Sequence, residues 1–300
     1  MQQVKLPNSS LSFSRLVYGV WRLAGDADQS VQHVRAKIDA ALAEGMTTFD
    51  HADIYGNYEC EKLFGKALTD DASLRDQMQL VTKCGIALIS DKYPARRVKY
   101  YDTSADYIRI SVENSLQHLH TDRIDTFLIH RPDPLMNAAE TGAALDDLID
   151  SGKILSAGVS NFQPSDWRLL QKHMKNKLVI NQIEMSVLHQ DSFTNGDLSA
   201  LQLDDIAVMA WSPLAGGRLF GDEEAAKRVR PLLQNIADEQ NIRLDVVAFA
   251  WLLQHPANIM PVVGTNNLER IKGLGEALNI AIDRETWFEI WTAAAGQKVP

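Results

Sequence analysis

The sequence predicts an α/β fold, a (β/α)8 (TIM) barrel preceded by a short N-terminal β-hairpin. Eight short β-rich apolar runs recur along the 300 residues, and helix-length amphipathic segments separate them. The runs are close to continuously apolar rather than alternating, as parallel strands covered on both faces should be. Eight such units closing on themselves make a barrel.

Taken in chain order, VKLPNSSLSF turns at Pro7-Asn8 and reads as a hairpin able to plug the barrel bottom. The strand runs are residues 16–20 (LVYGV), 47–49 (TTF), 80–84 (LVTKC), 126–130 (TFLIH), 154–159 (ILSAGV), 179–183 (VINQI), 206–211 (IAVMAW) and 259–263 (IMPVV). Helix starts are read at Ser30 before VQHVRAKIDAALAEG, Ser104 before ADYIRISVENSLQHL and Ser165 before DWRLLQKH, where a hydroxyl precedes a periodic apolar segment. An open doubly wound sheet usually needs fewer repeats and often follows its first strand with GxGxxG. Here the first run leads into GVWRLAG, and Gly273-Leu274-Gly275 follows a helical stretch. With no linker, low-complexity tract or internal repeat, residues 1–300 are expected to form one domain.

Composition narrows the partners. The apolar fraction of 45% and charged fraction of 23% suit a soluble protein with a sizeable core. A formal charge of −9 disfavours nucleic acid and anionic membrane as partners. Cys60 and Cys84 have neither CxxC nor Cys/His metal spacing, which fits a reducing compartment. His118 and His120 form an HxH pattern that a helix would point apart, so no metal is expected. The N-terminus lacks signal-peptide regions, and the longest apolar run, 246–253, is too short to span a bilayer. The expectation is a cytoplasmic protein, monomeric or weakly oligomeric, acting on a small molecule.

In a barrel the site is built at the C-terminal ends of the strands. The sequence delivers Asp50 and then Tyr55 after the second strand, Lys83 on the third and His130 at the end of the fourth. Ser160-Asn161 ends the fifth, Gln182 and Glu184 lie on the sixth, Trp211-Ser212 ends the seventh, and Gly264-Thr265 follows the eighth. Reducing a carbonyl requires hydride at carbon and a proton at oxygen. A tyrosine, with a free pKa of about 10, becomes a better donor beside an ammonium. Lys83 is expected to be that ammonium, Asp50 its counter-charge, and His130 a hydrogen-bond donor orienting the substrate oxygen. Each residue alone has a plain structural explanation. Joint arrival on consecutive strand ends does not.

The elements FDHADIYG, VTKCG, LIHRPDP, GVSNF, NQIE, AWSPLAGG and PVVGTNNLER, in this order, resemble the aldo-keto reductase superfamily over essentially the whole chain. The resemblance, to bacterial-type NADP-dependent oxidoreductases, implies reduction of aldehydes or ketones by NADPH. It makes Tyr55 the general acid/base, with Lys83 and Asp50 tuning it and His130 assisting. It also implies that Trp211 stacks on the nicotinamide while Ser160, Asn161 and Gln182 hold the carboxamide. The pyrophosphate would lie near Ser212, Leu214, Gly216, Gly217 and Arg218. Thr265, Asn266 and Arg270, next to Gly264, would bind the adenosine 2′-phosphate, favouring NADP over NAD. Three features depart from the family pattern. His51 stands where threonine is commoner, Gly264 where some members carry lysine, and Gly273 and Leu274 where many members bind adenine through acidic and amide side chains.

The alternative reading is a regulatory NADP-binding module that acts through partners, as the related channel-associated β subunits do. A metal-dependent barrel hydrolase would need clustered ligands, whereas Asp50, His130 and Glu184 are dispersed. Two further expectations concern the pocket. The segment 92–101, KYPARRVKYY, should overhang the mouth and favour anionic or aromatic carbonyls. The closing WFEIWTAAAGQKVP should leave little tail to fold over the pocket, and hence an open, loosely selective site.

Overall fold

An antiparallel hairpin opens the fold, β1 (Gln3–Lys5) against β2 (Ser12–Ser14), in a computed structural model that describes residues 2–69 and 71–299. Then follow β3 (Val17–Gly19), α1 (Val31–Ala43), β4 (Thr48–Asp50), α2 (Tyr55–Tyr58), α3 (Cys60–Leu68), β5 (Gln79–Cys84), β6 (Ile86–Ala87), β7 (Tyr100–Tyr101) and α4 (Ala105–His118). The middle of the chain forms β8 (Thr126–Ile129), α5 (Ala138–Asp150), β9 (Ala157–Ser160), α6 (Pro164–Lys172), β10 (Leu178–Glu184), α7 (Asp191–Thr194) and α8 (Asp197–Leu203). The last part comprises β11 (Ala207–Trp211), α9 (Glu224–Gln240), α10 (Leu244–Leu253), β12 (Met260–Val263), α11 (Leu268–Ile271) and α12 (Arg284–Ala295).

Strands β3, β4, β5, β8, β9, β10, β11 and β12 are parallel and close on themselves, β12 pairing back with β3. Each of the eight apolar runs supplies one of them. Boundaries move by a few residues: β4 extends to Asp50, and β9 begins at Ala157 because Ile154 makes only an isolated bridge to Ile124.

Side-chain alternation along the strands separates core from site. Phe49 packs outward on Phe64 of α3, with ring centres 5.3 Å apart, so Asp50 faces the barrel interior. Likewise the Thr82 hydroxyl donates outward to Glu61 of α3 at 2.6 Å, and Lys83 points in. Below these polar groups, Val17, Val81, Leu128, Ile180, Met209 and Met260 form one buried cluster with Leu6 and Phe13 of the hairpin. The hairpin is therefore the expected plug, each apolar side chain contributing about 1.5–3 kcal/mol by leaving water.

Two of the three helix starts are as read. Ser30 and Ser104 accept from His33 N and Tyr107 N at 3.3 and 3.4 Å. The third starts two residues earlier, with Gln163 as cap and Pro164 at the first helical position, where its fixed φ and missing N–H cost nothing. The Asp166 carboxylate accepts from Gln163 N at 3.0 Å, and Ser165 lies inside the first turn. On the outer wall, Trp251 of α10 stacks on Trp287 of α12 at 4.5 Å, each indole N–H donating to the other's carbonyl. Among the described residues no helix is long and apolar enough to cross a membrane.

Candidate active site

Lys83 is fully buried, and an ammonium has three N–H donors to place. It donates to Asp50 Oδ1 at 2.7 Å, to the His51 carbonyl at 2.6 Å and to the Tyr55 oxygen at 3.3 Å. Tyr55, at the start of α2, thus accepts from Lys83 and keeps its own O–H for another partner. Its ring meets that of His130 edge-on, centres 6.0 Å apart. The four residues from four different segments form one cluster at the C-terminal rim.

The electrostatics of this cluster correct one expectation. Burial pushes the Tyr55 phenol well above its ordinary range, and the Asp50 charge pushes the same way. The Lys83 ammonium, its charge matched by Asp50 at 2.7 Å, is outweighed by the desolvation that penalises a phenolate. Tyr55 is therefore protonated at neutral pH, the form that can donate. Burial also lowers Lys83, with the Asp50 carboxylate opposing it. His130 is held well below its usual range by burial and then by the charges of Lys83, Arg131 and Lys99, so its imidazole is neutral.

The turn carrying Tyr55 is left-handed through three consecutive residues, Gly56 (φ 58°), Asn57 (φ 56°) and Tyr58 (φ 67°). A Cβ on Gly56 would stand 2.3 Å from Ala24 Cβ and 2.8 Å from Cys60 Sγ, so only glycine fits. Non-glycine residues in this region cost about 1–2 kcal/mol each, which tertiary contacts must offset. The Tyr58 hydroxyl accepts from Leu88 N at 3.0 Å and from Arg96 Nη1 at 2.7 Å. Segment 92–101 leads back into β7, which pairs with β6, and Arg96 is turned inward onto Tyr58 and Tyr93. Arg97 and Lys99 remain exposed.

A hydrogen-bonded chain extends from this cluster toward the candidate cofactor residues. Gln182 Nε2 donates to Asp50 Oδ1 at 2.7 Å, and Ser160 Oγ donates to the Gln182 carbonyl at 2.8 Å. Asn161 Nδ2 donates to Ser160 Oγ at 2.7 Å, while Asn161 Oδ1 accepts from Trp211 Nε1 at 2.9 Å. After β11, Ser212 (φ 51°) and Ala215 (φ 51°) are left-handed, as are Gly216 and Gly217. No atom lies within 4 Å of where a Cβ would stand on either glycine, so their backbone is open to a close-fitting ligand. Leu214 flanks this turn, and Arg218 is exposed with a 3.5 Å ion pair to Glu223.

Gly264, Thr265, Asn266 and Arg270 form a separate group beyond β12, apart from the cluster of Asp50, Tyr55, Lys83 and His130. The Thr265 carbonyl accepts from Tyr18 OH at 2.7 Å. Arg270 is exposed, and its carbonyl accepts from Arg243 at 2.9 Å. Arg22 joins the two regions: its Nη2 donates to the Gly216 carbonyl at 3.3 Å and its own carbonyl accepts from Asn266 Nδ2 at 2.6 Å. Sequence reasoning passed over Trp21 and Arg22, although GVWRLAG ends the first strand at the same rim. It passed over Arg131 as well, whose guanidinium lies 5.4 Å from the centre of the Trp211 ring. Its position immediately after His130 was the available signal.

His51 is one of the departures from the family pattern. It points outward against Phe64, ring centres 4.5 Å apart, and among the described residues neither ring nitrogen has a hydrogen-bond partner. Burial, assisted by the Lys83 charge, pushes its pKa down to about 3.

Comparison with known proteins agrees with this architecture. The Aldo/keto reductase family matches residues 15–294. The chain is 53% identical over 299 residues to the 6-dehydroglucose reductase of Agrobacterium fabrum, covering all of both chains. It is 45% identical over 302 residues to the uncharacterized oxidoreductase YcsN of Bacillus subtilis, again over the full length of both. The solved structure of a glycerol dehydrogenase from Gluconobacter oxydans superposes with a TM-score of 0.86 at 21% identity, covering 99% of this chain and 97% of that one, which shows the shared fold. With the eight-stranded barrel, the match across residues 15–294 and full-length relatives above 40% identity, the chain belongs to the aldo/keto reductase family of oxidoreductases.

Proposed function

We propose that this oxidoreductase reduces an aldehyde or ketone to the alcohol with NADPH, the proton coming from Tyr55. The observation that carries the reading is the placement of Lys83. Its three N–H groups go to Asp50, the His51 carbonyl and the Tyr55 oxygen, which leaves the phenolic proton for the substrate. NADPH, when bound, supplies the hydride. Neutral His130 donates a hydrogen bond to the carbonyl oxygen, polarising it and aiming it at Tyr55. As the proton leaves, negative charge develops on the Tyr55 oxygen, where the Lys83 donor already stands. Asp50 and Gln182 keep that donor in place.

The cofactor groove fits a nicotinamide dinucleotide in its donor set. Trp211 offers an aromatic face, Ser160, Asn161 and Gln182 offer amide and hydroxyl groups, and the open Gly216-Gly217 backbone admits a pyrophosphate. Arg270, exposed and without an ion pair among the described residues, suits a 2′-phosphate, with Thr265 and Asn266 beside it. The same reading keeps residues 1–300 as one domain, working in the cytoplasm as a monomer or weak oligomer.

For the substrate, the Agrobacterium relative's name points to a hexose bearing an aldehyde at C6. Arg131 and Lys99 support a polar substrate, since their charges reach His130 and each offers N–H donors to sugar oxygens. NADPH oxidation followed with 6-dehydroglucose and with simple aliphatic and aromatic aldehydes tests both parts. Turnover with the sugar aldehyde at a higher kcat/KM supports the assignment. Bound but unconsumed NADPH across the whole panel would instead favour the regulatory module.

A further inference from the structure

We propose that Tyr58 and Arg96 are positioning residues that hold the Tyr55 hydroxyl against Lys83, so that segment 92–101 braces the proton donor from behind. This rests on Tyr55 being the donor. Tyr55 sits at the entrance to a turn whose next three residues are left-handed, and the turn is confined from both sides. On one side Ala24 and Cys60 crowd Gly56 so closely that no Cβ fits.

On the other side everything converges on Tyr58, which is buried. Its hydroxyl accepts from Leu88 N and Arg96 Nη1, its ring meets Tyr93 edge-on at 4.9 Å, and its carbonyl accepts from Lys92 Nζ at 3.4 Å. Arg96 adds a second hold on the segment: its guanidinium lies 3.7 Å over the Tyr93 ring and Nη1 also donates to the Leu88 carbonyl at 3.3 Å. Lys92 pairs with Glu59 next door. A tyrosine has no reason of its own to adopt a left-handed backbone, so these contacts hold it there. Three residues upstream, the same turn sets the 3.3 Å separation between Tyr55 and Lys83.

The test uses the full-length protein with Tyr58→Phe, Arg96→Met, Arg96→Lys, Tyr55→Phe and the Tyr55→Phe/Tyr58→Phe double variant. Each is checked for unchanged circular dichroism before NADPH binding and the kinetics of a reactive aromatic aldehyde are measured. Tyr58→Phe and Arg96→Met should each lower kcat about tenfold or more while KM and the NADPH Kd stay within about twofold, because a displaced donor impairs the proton transfer and not the binding. Arg96→Lys, which keeps one donor, should recover part of the loss. Because the brace acts through Tyr55, the double variant should match Tyr55→Phe alone.

Wild-type kcat in both Tyr58→Phe and Arg96→Met, with Tyr55→Phe inactive, would overturn the brace and leave the donor standing. So would a Tyr58→Phe loss that reappears undiminished in the Tyr55→Phe background, or one confined to KM. Wild-type turnover in Tyr55→Phe would remove the donor assignment and the brace with it.

Discussion

Gln182 donates its side-chain amide to Asp50 Oδ1 at 2.7 Å, across a sequence separation of 132 residues. The same oxygen accepts from Lys83 at 2.7 Å. A residue of the candidate cofactor group and the ion pair behind Tyr55 therefore share one atom, and a change at either is felt at the other. Replacing Gln182 with Leu removes a hydrogen bond to a buried carboxylate, an interaction of about 1.5–3 kcal/mol. The expected outcome is a kcat lowered about tenfold together with weaker NADPH binding. An effect on cofactor affinity alone would show that the Asp50 bond is incidental.

Lys83→Met should be the more damaging half of the buried pair. It strands Asp50, itself 2% exposed, without its counter-charge, and breaking such pairs costs about 3–5 kcal/mol. Asp50→Asn in the Lys83→Met background should restore part of that stability in chemical denaturation, though not the turnover. If the double variant is no more stable than Lys83→Met alone, the cost lies elsewhere than in the stranded charge.

His51 makes stability fall in acid. Its folded pKa, about 3, lies below the ordinary 6.5, so between those values the unfolded chain binds more protons and is favoured as pH drops. The contribution from this one group is about 2 kcal/mol at pH 5 and vanishes above about pH 7. His51→Thr should therefore lose less stability than the parent on going from pH 7.5 to pH 5, read from urea midpoints. Parallel pH curves would mean that His51 finds a proton acceptor in the folded state.

Arg270→Ala should weaken NADPH by about 10- to 100-fold and leave NADH nearly unchanged, since arginine's fork is matched to a phosphate and NADH lacks the 2′-phosphate. Fluorescence titration with each cofactor decides it. Equal losses for both would assign the phosphate to another residue.

The fold was legible because its signals are local. Eight apolar runs gave eight strands, and Ser30 and Ser104 capped the helices they precede. At Ser165 a local signal lost to a stronger neighbour, Pro164 at the first helical position. The candidate site was legible in its members, since Asp50, Tyr55, Lys83 and His130 do converge, but less so in its electrostatics. The direction of the Tyr55 shift depends on burial and on how far Asp50 already matches Lys83, and neither is written in FDHADIYG. The left-handed backbone at Asn57 and Tyr58 was equally hidden, because contacts with Leu88, Tyr93 and Arg96 decide it. In segment 92–101, read as overhanging the mouth, the turn of Arg96 onto Tyr58 and Tyr93 was hidden for the same reason.

The most direct test of the account compares the wild-type protein with Tyr55→Phe, using the absorbance of reduced nicotinamide to follow NADPH and NADH with 6-dehydroglucose or a reactive aldehyde. The account predicts NADPH-preferring oxidation by the wild type, and in Tyr55→Phe an unchanged NADPH Kd with turnover reduced about 10²- to 10⁴-fold. Turnover in Tyr55→Phe equal to wild type would contradict it, because the proton would then come from somewhere other than the phenol beside Lys83.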